Sequence, residues 1–246
     1  MQRTAAYSAL VLHSRPAGES NREVYLLTGE EGIIKATVFG GPKSKLRAHA
    51  SPFNSGKVWV YRNPVKDSVK ITDFDIRCWR PGLRELYDRS MTAAAITDTV
   101  LATRGSGGSW DTALNLTASS LDALENANEE LCPRLLIHFL WQWLSLSGLQ
   151  PRLETCAACG KAAADSPLWL DIREGDALCA NCAPKEPSVL LRIGPGSRRW
   201  LDTAGRLEPA RLYRYTMDGK SRHEAKSLVC ALLNAALGKK LASWEW

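Results

Sequence analysis

Over the first eighty residues, short apolar runs alternate with polar positions and are separated by turn-forming residues. The runs are rich in β-branched and aromatic side chains, and glycine, proline and asparagine lie between them. A period of two with such turns predicts β-strands. We predict five strands, at residues 7–14, 22–28, 32–39, 57–62 and 69–77. Five short strands in about eighty residues are typical of a small closed barrel such as an OB-fold.

The spacing of apolar residues changes to a helical period after Pro81-Gly82. It predicts helices at residues 83–104, 110–125, 133–148 and 223–241, with Ser109 as the N-cap of the second helix and a flexible break at 105–109. The third helix is strongly apolar, but polar residues interrupt it and it is shorter than the ~20 residues of a membrane span. The first fifteen residues also lack the cleavage pattern of a secretory signal. We therefore predict a cytoplasmic protein without membrane attachment.

Four cysteines occur as two pairs, Cys156 with Cys159 and Cys179 with Cys182. The CxxC…CxxC spacing fits four thiolates around one tetrahedral zinc ion. A module of about thirty residues is too small to be stable by apolar burial alone, so the metal would supply its folding energy. Disulfides are the alternative, but a cytoplasmic chain keeps its thiols reduced. Because four thiolates close the coordination sphere, we predict a structural zinc site.

These patterns together predict an α+β protein. Its N-terminal part, residues 1–80, is a five-stranded OB-fold barrel. Residues 81–246 form a helical domain with a zinc-ribbon-like insert at 154–184, in which residues 168–171 and 177–178 make a short hairpin.

The formal net charge of +6 lies entirely in the first part of the chain. Residues 1–80 contain thirteen Lys and Arg against seven Asp and Glu, whereas the remainder is balanced. Residues 35–70 contain eight bases and one acid. Such an asymmetry indicates an anion-binding surface, since a charge that serves only solubility is more evenly spread. Three of the cations, Lys43, Lys45 and Arg47, follow a glycine hinge in a predicted loop.

Strand periodicity places further bases beside aromatic residues. Lys57 and Trp59 share one strand face, and Lys35 and Phe39 share another. Aromatic side chains in a basic groove bind single-stranded nucleic acid without reading its sequence. The alternative is that Trp59 and Phe39 fill the interior of the barrel, as large aromatic residues commonly do.

We find no constellation of residues that supports catalysis and predict that the protein is not an enzyme. Asp73 and Asp75 alternate on a strand, but no third carboxylate accompanies them. They are better explained by a solvated strand face than by a divalent cation site.

Four stretches of the chain resemble the bacterial recombination mediator family RecO. They are SNREVYLLT at residues 20–28, GGPKSKLR at 40–47 with Pro52-Phe53, LSGLQPRLETCAACG at 146–160, and GKSR at 219–222. The resemblance covers most of the chain. It implies an OB-fold N-terminal domain, a helical C-terminal domain and a zinc-binding insert.

The resemblance also implies a function and partners. RecO-like proteins bind single- and double-stranded DNA and anneal complementary strands. They engage RecR and the acidic C-terminal tail of the single-stranded-DNA-binding protein SSB, and they help RecA to load, which places them at the nucleoid. Lys43, Lys45 and Arg47 would lie in the DNA-contacting loop, with Arg22 and Lys35 nearby. The complete set of nucleic-acid-binding candidates is Arg22, Lys35, Lys43, Lys45, Arg47, Lys57, Trp59 and Arg62.

Two other functions remain open at this stage. An OB-fold with a zinc module is equally compatible with RNA, because contacts to the phosphate backbone do not identify the sugar. Alternatively, the chain is a protein-interaction scaffold that uses its helices and the C-terminal sequence Ser243-Trp244-Glu245-Trp246. The two tryptophans of that sequence would otherwise pack into the core.

Overall fold

The computed structural model describes residues 3–41, 43–104, 108–184 and 190–244. The predicted break at 105–109 therefore lies mostly outside the described residues, as do Pro42 of the basic loop and the C-terminal Trp246. The strands are β1 Thr4–Ala17, β2 Asn21–Thr28, β3 Gly32–Val38, β4 Ser55–Asn63, β5 Ser68–Cys78, β6 Leu168–Asp171, β7 Ala177–Leu178 and β8 Leu190–Ile193. The α-helices are α1 Lys45–His49, α2 Tyr87–Thr103, α3 Trp110–Leu124, α4 Leu131–Leu146, α5 Pro195–Ala204 and α6 Gly219–Leu237, and 3₁₀ helices lie at Pro81–Arg84, Pro209–Arg214 and Ala242–Trp244.

The first five strands form a closed barrel in the order β1-β2-β3-β5-β4, which confirms the predicted OB-like fold. Strand β1 pairs with β4 through its first half and with β2 through its second half. A register shift between Val11 and His13 bends the strand as it passes from one partner to the other. The parallel pairing of Thr37 with Lys70 closes the barrel between β3 and β5.

Alternation of side chains builds the barrel core. In β3, Ile34, Ala36 and Val38 are buried, while Lys35 between them is exposed. The core also contains Phe74, which is 1% exposed, and helix α1 adds Leu46 at its edge. Burial of such a phenylalanine contributes roughly 1.5–3 kcal/mol. The barrel is therefore stabilised by its own apolar interior.

Helices α2 and α3 belong with the barrel to a first compact unit, Met1–Asn126. Arg80 follows the last barrel strand and its side chain is only 3% exposed. It donates hydrogen bonds to the Phe53 carbonyl oxygen at 2.5 Å and to the Ser55 hydroxyl at 3.1 Å, and it forms an ion pair with Asp122 of α3 at 2.7 Å. This buried guanidinium fixes α3 against the end of the barrel. The division predicted at residue 80 follows the end of β5.

The second compact unit, Ala127–Trp246, is built around helix α4. Eleven of the sixteen residues of α4 are buried, and Phe139 stacks on Trp143 with ring centroids 5.5 Å apart. Helix α6 packs on α4 with Leu228 and Leu232 among its buried residues. Trp244 is 3% exposed and so lies in the core. Within the described residues, no helix combines the length and apolarity needed to cross a bilayer.

The predicted hairpin of β6 and β7 is confirmed, and β8 extends it to a three-stranded sheet in the order β7-β6-β8. The sequence did not reveal β8 or α5, since β8 has four residues and Gly194-Pro195 resembles a turn. Arg198 of α5 is buried and donates to the carbonyl oxygens of Leu153, Ala164 and Ser166. This side chain ties the cysteine module to the helical unit.

Candidate metal centre and nucleic-acid interface

The four predicted metal ligands come together in the second unit. The sulfur atoms of Cys156, Cys159, Cys179 and Cys182 all lie within 4.8 Å of one another. The Sγ atoms of Cys159 and Cys179 are 3.9 Å apart, which excludes a disulfide and is close to the ~3.8 Å expected between thiolates in a tetrahedral zinc site. The set is thus close enough to bind one metal ion.

Each cysteine pair lies in a tight turn that directs its sulfurs to one point. The first turn is closed by a hydrogen bond from the Gly160 amide to the Cys156 carbonyl oxygen, and Gly160 has a φ of +71°, which a glycine adopts without strain. The second is closed by the Cys182 amide bonding to the Cys179 carbonyl oxygen. The local structure therefore directs all four thiols to one point.

The electrostatics of the cluster favour a bound cation. The amide of Cys179 donates to the Cys156 sulfur at 3.3 Å, and this bond, with the amides of Cys159 and Ala158, lowers the pKa of the Cys156 thiol to about 6. The neighbouring thiols of Cys159 and Cys179 instead raise the pKa of Cys182 to about 12. Four thiolates are mutually repulsive without a cation, so the donor set fits a divalent, thiol-binding metal.

The basic segment predicted to be a loop is partly helical. Lys45 and Arg47 lie in α1, whereas Lys43 precedes it in a turn. Gly40 has a φ of +127°, as a glycine hinge requires, and Leu46 and Ala50 anchor the helix to the barrel core. The loop interpretation was wrong for Lys45 and Arg47 because those apolar anchors fold the segment into a helical turn.

These three cations have no carboxylate partner among the described residues. Lys43 and Lys45 are exposed, and Arg47 is half-buried. Unpaired surface cations attract polyanions and exchange their counterions on binding.

An exposed aromatic residue lies at the start of the same segment. Phe39 is 50% exposed, and the Lys70 ammonium group lies 5.2 Å from its ring centroid. Lys70 belongs to β5 and reaches Phe39 because β5 pairs in parallel with β3 at Thr37. Sequence reasoning missed Lys70, because nothing local indicates that these two strands are neighbours.

The outer face of β2 and β3 carries a second group of charges. Glu23 accepts hydrogen bonds from Lys35 at 2.6 Å and from Arg15 Nε at 2.6 Å, and Tyr25 also donates to it. Lys35, then Tyr25 and Arg15, lower the pKa of Glu23 to about 2. Arg15 and Lys35 thus share the single carboxylate of Glu23, and both are more than half exposed. The group therefore has a net positive charge.

The two remaining arginines differ in their surroundings. Arg22 bonds to the hydroxyl and carbonyl oxygens of Ser14 and has no carboxylate partner among the described residues. Arg62 forms an ion pair with Glu31 and also donates to the Tyr7 hydroxyl. Its charge is therefore compensated, and Arg62 is the least available of the candidates for phosphate contact.

Lys57 and Trp59 lie on a different side of the barrel from Lys35 and Phe39. Strand β4 is separated from β2 by β1 and from β3 by β5. The Lys57 ammonium group lies 5.4 Å from the Trp59 ring centroid, but the residues opposite them on β5 are the exposed acids Asp75 and Asp73. A single groove through both pairs is therefore not formed. Neither aromatic residue fills the barrel: Phe39 is half exposed, and Val58 and Val60 take the interior positions of β4 in place of Trp59.

Comparison with known proteins agrees with this architecture. The family model described as Recombination protein O N terminal matches residues 1–76, and the one described as Recombination protein O C terminal matches residues 84–245.

Curated relatives match over nearly the whole chain. The DNA repair protein RecO of Anaeromyxobacter dehalogenans (strain 2CP-1) is 29% identical over 97% of this chain and 94% of its own length. That of Desulforamulus reducens is 25% identical over 97% and 91%, and that of Rubrobacter xylanophilus is 30% identical over 76% and 75%. Because the C-terminal family model alone covers more than half of the residues, this chain belongs to the RecO family of DNA repair proteins.

Proposed function

We propose that this chain binds single- and double-stranded DNA through its barrel unit and anneals complementary strands during repair. The observation that carries the proposal is the group of cations without carboxylate partners among the described residues, Lys43, Lys45, Arg47 and Lys70, beside the exposed ring of Phe39. The relatives are named as DNA repair proteins, which supports DNA as the polyanion.

Phosphate contacts explain how such a surface promotes annealing. The lysines and arginines neutralise phosphates and release counterions, and the exposed aromatic ring supports a base by stacking. Neither contact reads base edges, so the edges stay free to pair with a second strand. Neutralised phosphates also reduce the repulsion between two approaching strands. No bond is made or broken, and we assign no catalytic residue to the chain.

We further propose the partners that the family resemblance implies. The chain would act with RecR and with the acidic C-terminal tail of SSB to help RecA load on gapped DNA, in the cytoplasm at the nucleoid. Pull-down of purified RecR, and of SSB with and without its last ten or so residues, tests these contacts. Recovery of tail-deleted SSB equal to that of intact SSB would contradict the role of the tail.

The metal of the cysteine module is proposed to be structural zinc. Cys156, Cys159, Cys179 and Cys182 would hold it, and their closed thiolate set leaves no position for a reacting water. Its contribution would be to the folding of the module.

The central experiment measures DNA affinity as a function of salt. We expect K43A/K45A/R47A to weaken binding of a fluorescent single-stranded oligomer and to reduce the slope of log K against log salt by ~2, since each lost phosphate contact removes ~0.7. The matched control is R192A/R199A/R206A, which removes the same charge from three arginines that pair with carboxylates in the second unit. Equal slopes for the two variants would exclude the basic segment from binding.

The same oligomers separate the alternative functions. Competition with RNA of matched sequence tests for an RNA-binding protein, and absence of any binding at low salt would favour a scaffold. A strand-annealing assay by fluorescence, with bare and SSB-coated strands, tests the activity itself. No acceleration with either substrate would contradict the proposed function.

A further inference from the structure

The second unit contains a basic surface that is not apparent from the net charge of the unit. Residues 209–222, which we call the arginine–tyrosine segment, contain four basic residues and one acid. The basic residues are Arg211, Arg214, Lys220 and Arg222. The unit as a whole contains nearly equal numbers of basic and acidic residues. The charge distribution along the sequence therefore did not identify this segment.

The local fold aligns two of these cations and places one of them, Arg214, beside an exposed ring. Arg211 and Arg214 lie in the 3₁₀ helix Pro209–Arg214, in which side chains three residues apart are eclipsed. Tyr213 is 58% exposed, and the Arg214 guanidinium carbon lies 5.2 Å from its ring centroid. Leu212 is buried and anchors the helix. The segment thus presents a cation and an aromatic ring on a fixed backbone.

A buried arginine holds the next residues in place. The side chain of Arg134 in α4 is bonded to the carbonyl oxygens of Tyr215, at 2.5 Å, and Glu130, at 3.2 Å. It has no ion pair with a described carboxylate. Its charge therefore adds to the positive potential beneath Tyr215, which is 36% exposed.

The cations of the segment are also uncompensated. None of the four is in an ion pair with a described residue. The one acid, Asp218, is already engaged as the N-cap of α6, where it accepts from the Ser221 amide at 2.9 Å. In the same unit, by contrast, Arg199 and Arg206 pair with Asp165 and Asp202. The segment thus combines arginines that have no ion pair with a described carboxylate and exposed tyrosine rings.

We propose that the arginine–tyrosine segment binds a second single strand of nucleic acid, independent of the strand at the barrel. The inference rests on the proposed annealing function and adds to it that each unit of the chain holds one of the two strands. Nucleic acid fits better than an acidic peptide, because exposed tyrosine rings with adjacent guanidinium groups stack on bases. An acidic peptide would be held by charge alone on this open surface.

The first test locates the contact without any substitution. Single-stranded oligomers that carry 5-iodouracil are cross-linked by light to the full-length protein, and the attached peptides are identified by mass spectrometry. We expect adducts at Tyr213 or Tyr215, and we expect them to persist in K43A/K45A/R47A. Adducts confined to the barrel unit would overturn the inference and leave the proposed function intact.

The second test measures two-strand binding. Protein is captured on an immobilised oligomer, and recruitment of a second, non-complementary fluorescent oligomer is recorded. We expect R211A/R214A to bind the first strand within about twofold of the unaltered protein and to recruit the second at least about fivefold less. R199A/R206A removes the same charge from paired arginines of the same unit and should recruit normally. Equal recruitment by the two variants would overturn the inference, whereas no capture of the first strand by the unaltered protein would refute the proposed function.

Discussion

The barrel and the cysteine module are both small β structures, but they reach stability by different routes. The barrel encloses a continuous apolar core that includes Phe74, Leu26 and Val60, all at most 1% exposed. The module has a few buried apolar residues, such as Leu168 and Leu170, and a cluster of four cysteines, of which only Cys156 is buried.

The contrast shows how chain length decides the source of stability. Five strands closed on themselves enclose a continuous apolar core, whereas three strands of two to four residues bury much less apolar surface. The module is held by the carbonyl contacts of buried Arg198, and the proposed metal ion would supply the rest of its stability. It follows that the two regions should respond differently to metal removal and to core mutation.

The largest expected effect is the loss of the module when its ligands are removed. Structural zinc supplies an apparent ~10–16 kcal/mol to small metal-dependent folds. We expect C156S/C179S to bind less than one equivalent of zinc by mass spectrometry and to be cleaved rapidly by protease within residues 154–193, while the barrel stays resistant. C78S, which alters an exposed thiol of the first unit, is the control. Normal protease resistance in metal-free C156S/C179S would show that the module folds without metal.

A mutation in the barrel core should destabilise the barrel and leave the cysteine module unchanged. Phe74→Ala removes a fully buried ring and is expected to cost about 3–5 kcal/mol of barrel stability through lost burial and the remaining cavity. Its zinc content should be unchanged. The control is Val65→Ala at a position that is 92% exposed, for which we expect less than about 0.5 kcal/mol. Urea unfolding followed by circular dichroism measures both.

A smaller effect distinguishes the two sides of the barrel. Phe39→Ala should weaken single-stranded DNA binding by about tenfold, because a stacked base contributes ~1–3 kcal/mol. Trp59→Ala should weaken it by less than about twofold, since Asp73 and Asp75 face the same side of the barrel and repel phosphates. Fluorescence anisotropy gives both affinities. A larger loss from Trp59→Ala would move the interface to β4.

The smallest effect concerns Glu23 and pH. Its pKa is lowered from 4.5 to about 2 in the folded state, chiefly by Lys35. A depressed pKa stabilises the fold above pH 4.5, and this stabilisation is lost as the pH falls from 4.5 towards 2. Glu23→Gln should therefore show a weaker loss of stability between pH 5 and pH 3 than the unaltered chain. Urea titrations at both pH values, with Glu30→Gln at an exposed position as the control, measure the difference.

Most of the secondary structure and the metal ligands were predictable from local pattern. All five barrel strands were identified, and Ser109 was correctly placed as the N-cap of α3. The CxxC spacing identified all four cysteines of the cluster. Helix α5 and strand β8 were missed because β8 has only four residues and Gly194-Pro195, where α5 begins, resembles a turn.

The nucleic-acid interface was harder to predict, because it depends on which strands are neighbours. Strands β3 and β4 were each predicted to carry a base and an aromatic residue on one face, but β5 lies between the two strands. That arrangement separates Trp59 from Phe39 and brings Lys70 to Phe39 instead.

The sequence by itself determined the barrel strands, the four longest helices and the cysteine ligands, because hydrophobic period and ligand spacing are properties of neighbouring residues. Only the tertiary structure decided which cations remain free. Glu23 and Glu31 meet their basic partners Lys35 and Arg62 through strand pairing and barrel closure, over twelve and thirty-one residues of chain. Ion pairing depends on distance in space, and the periodicity of a single strand carries no information about that distance.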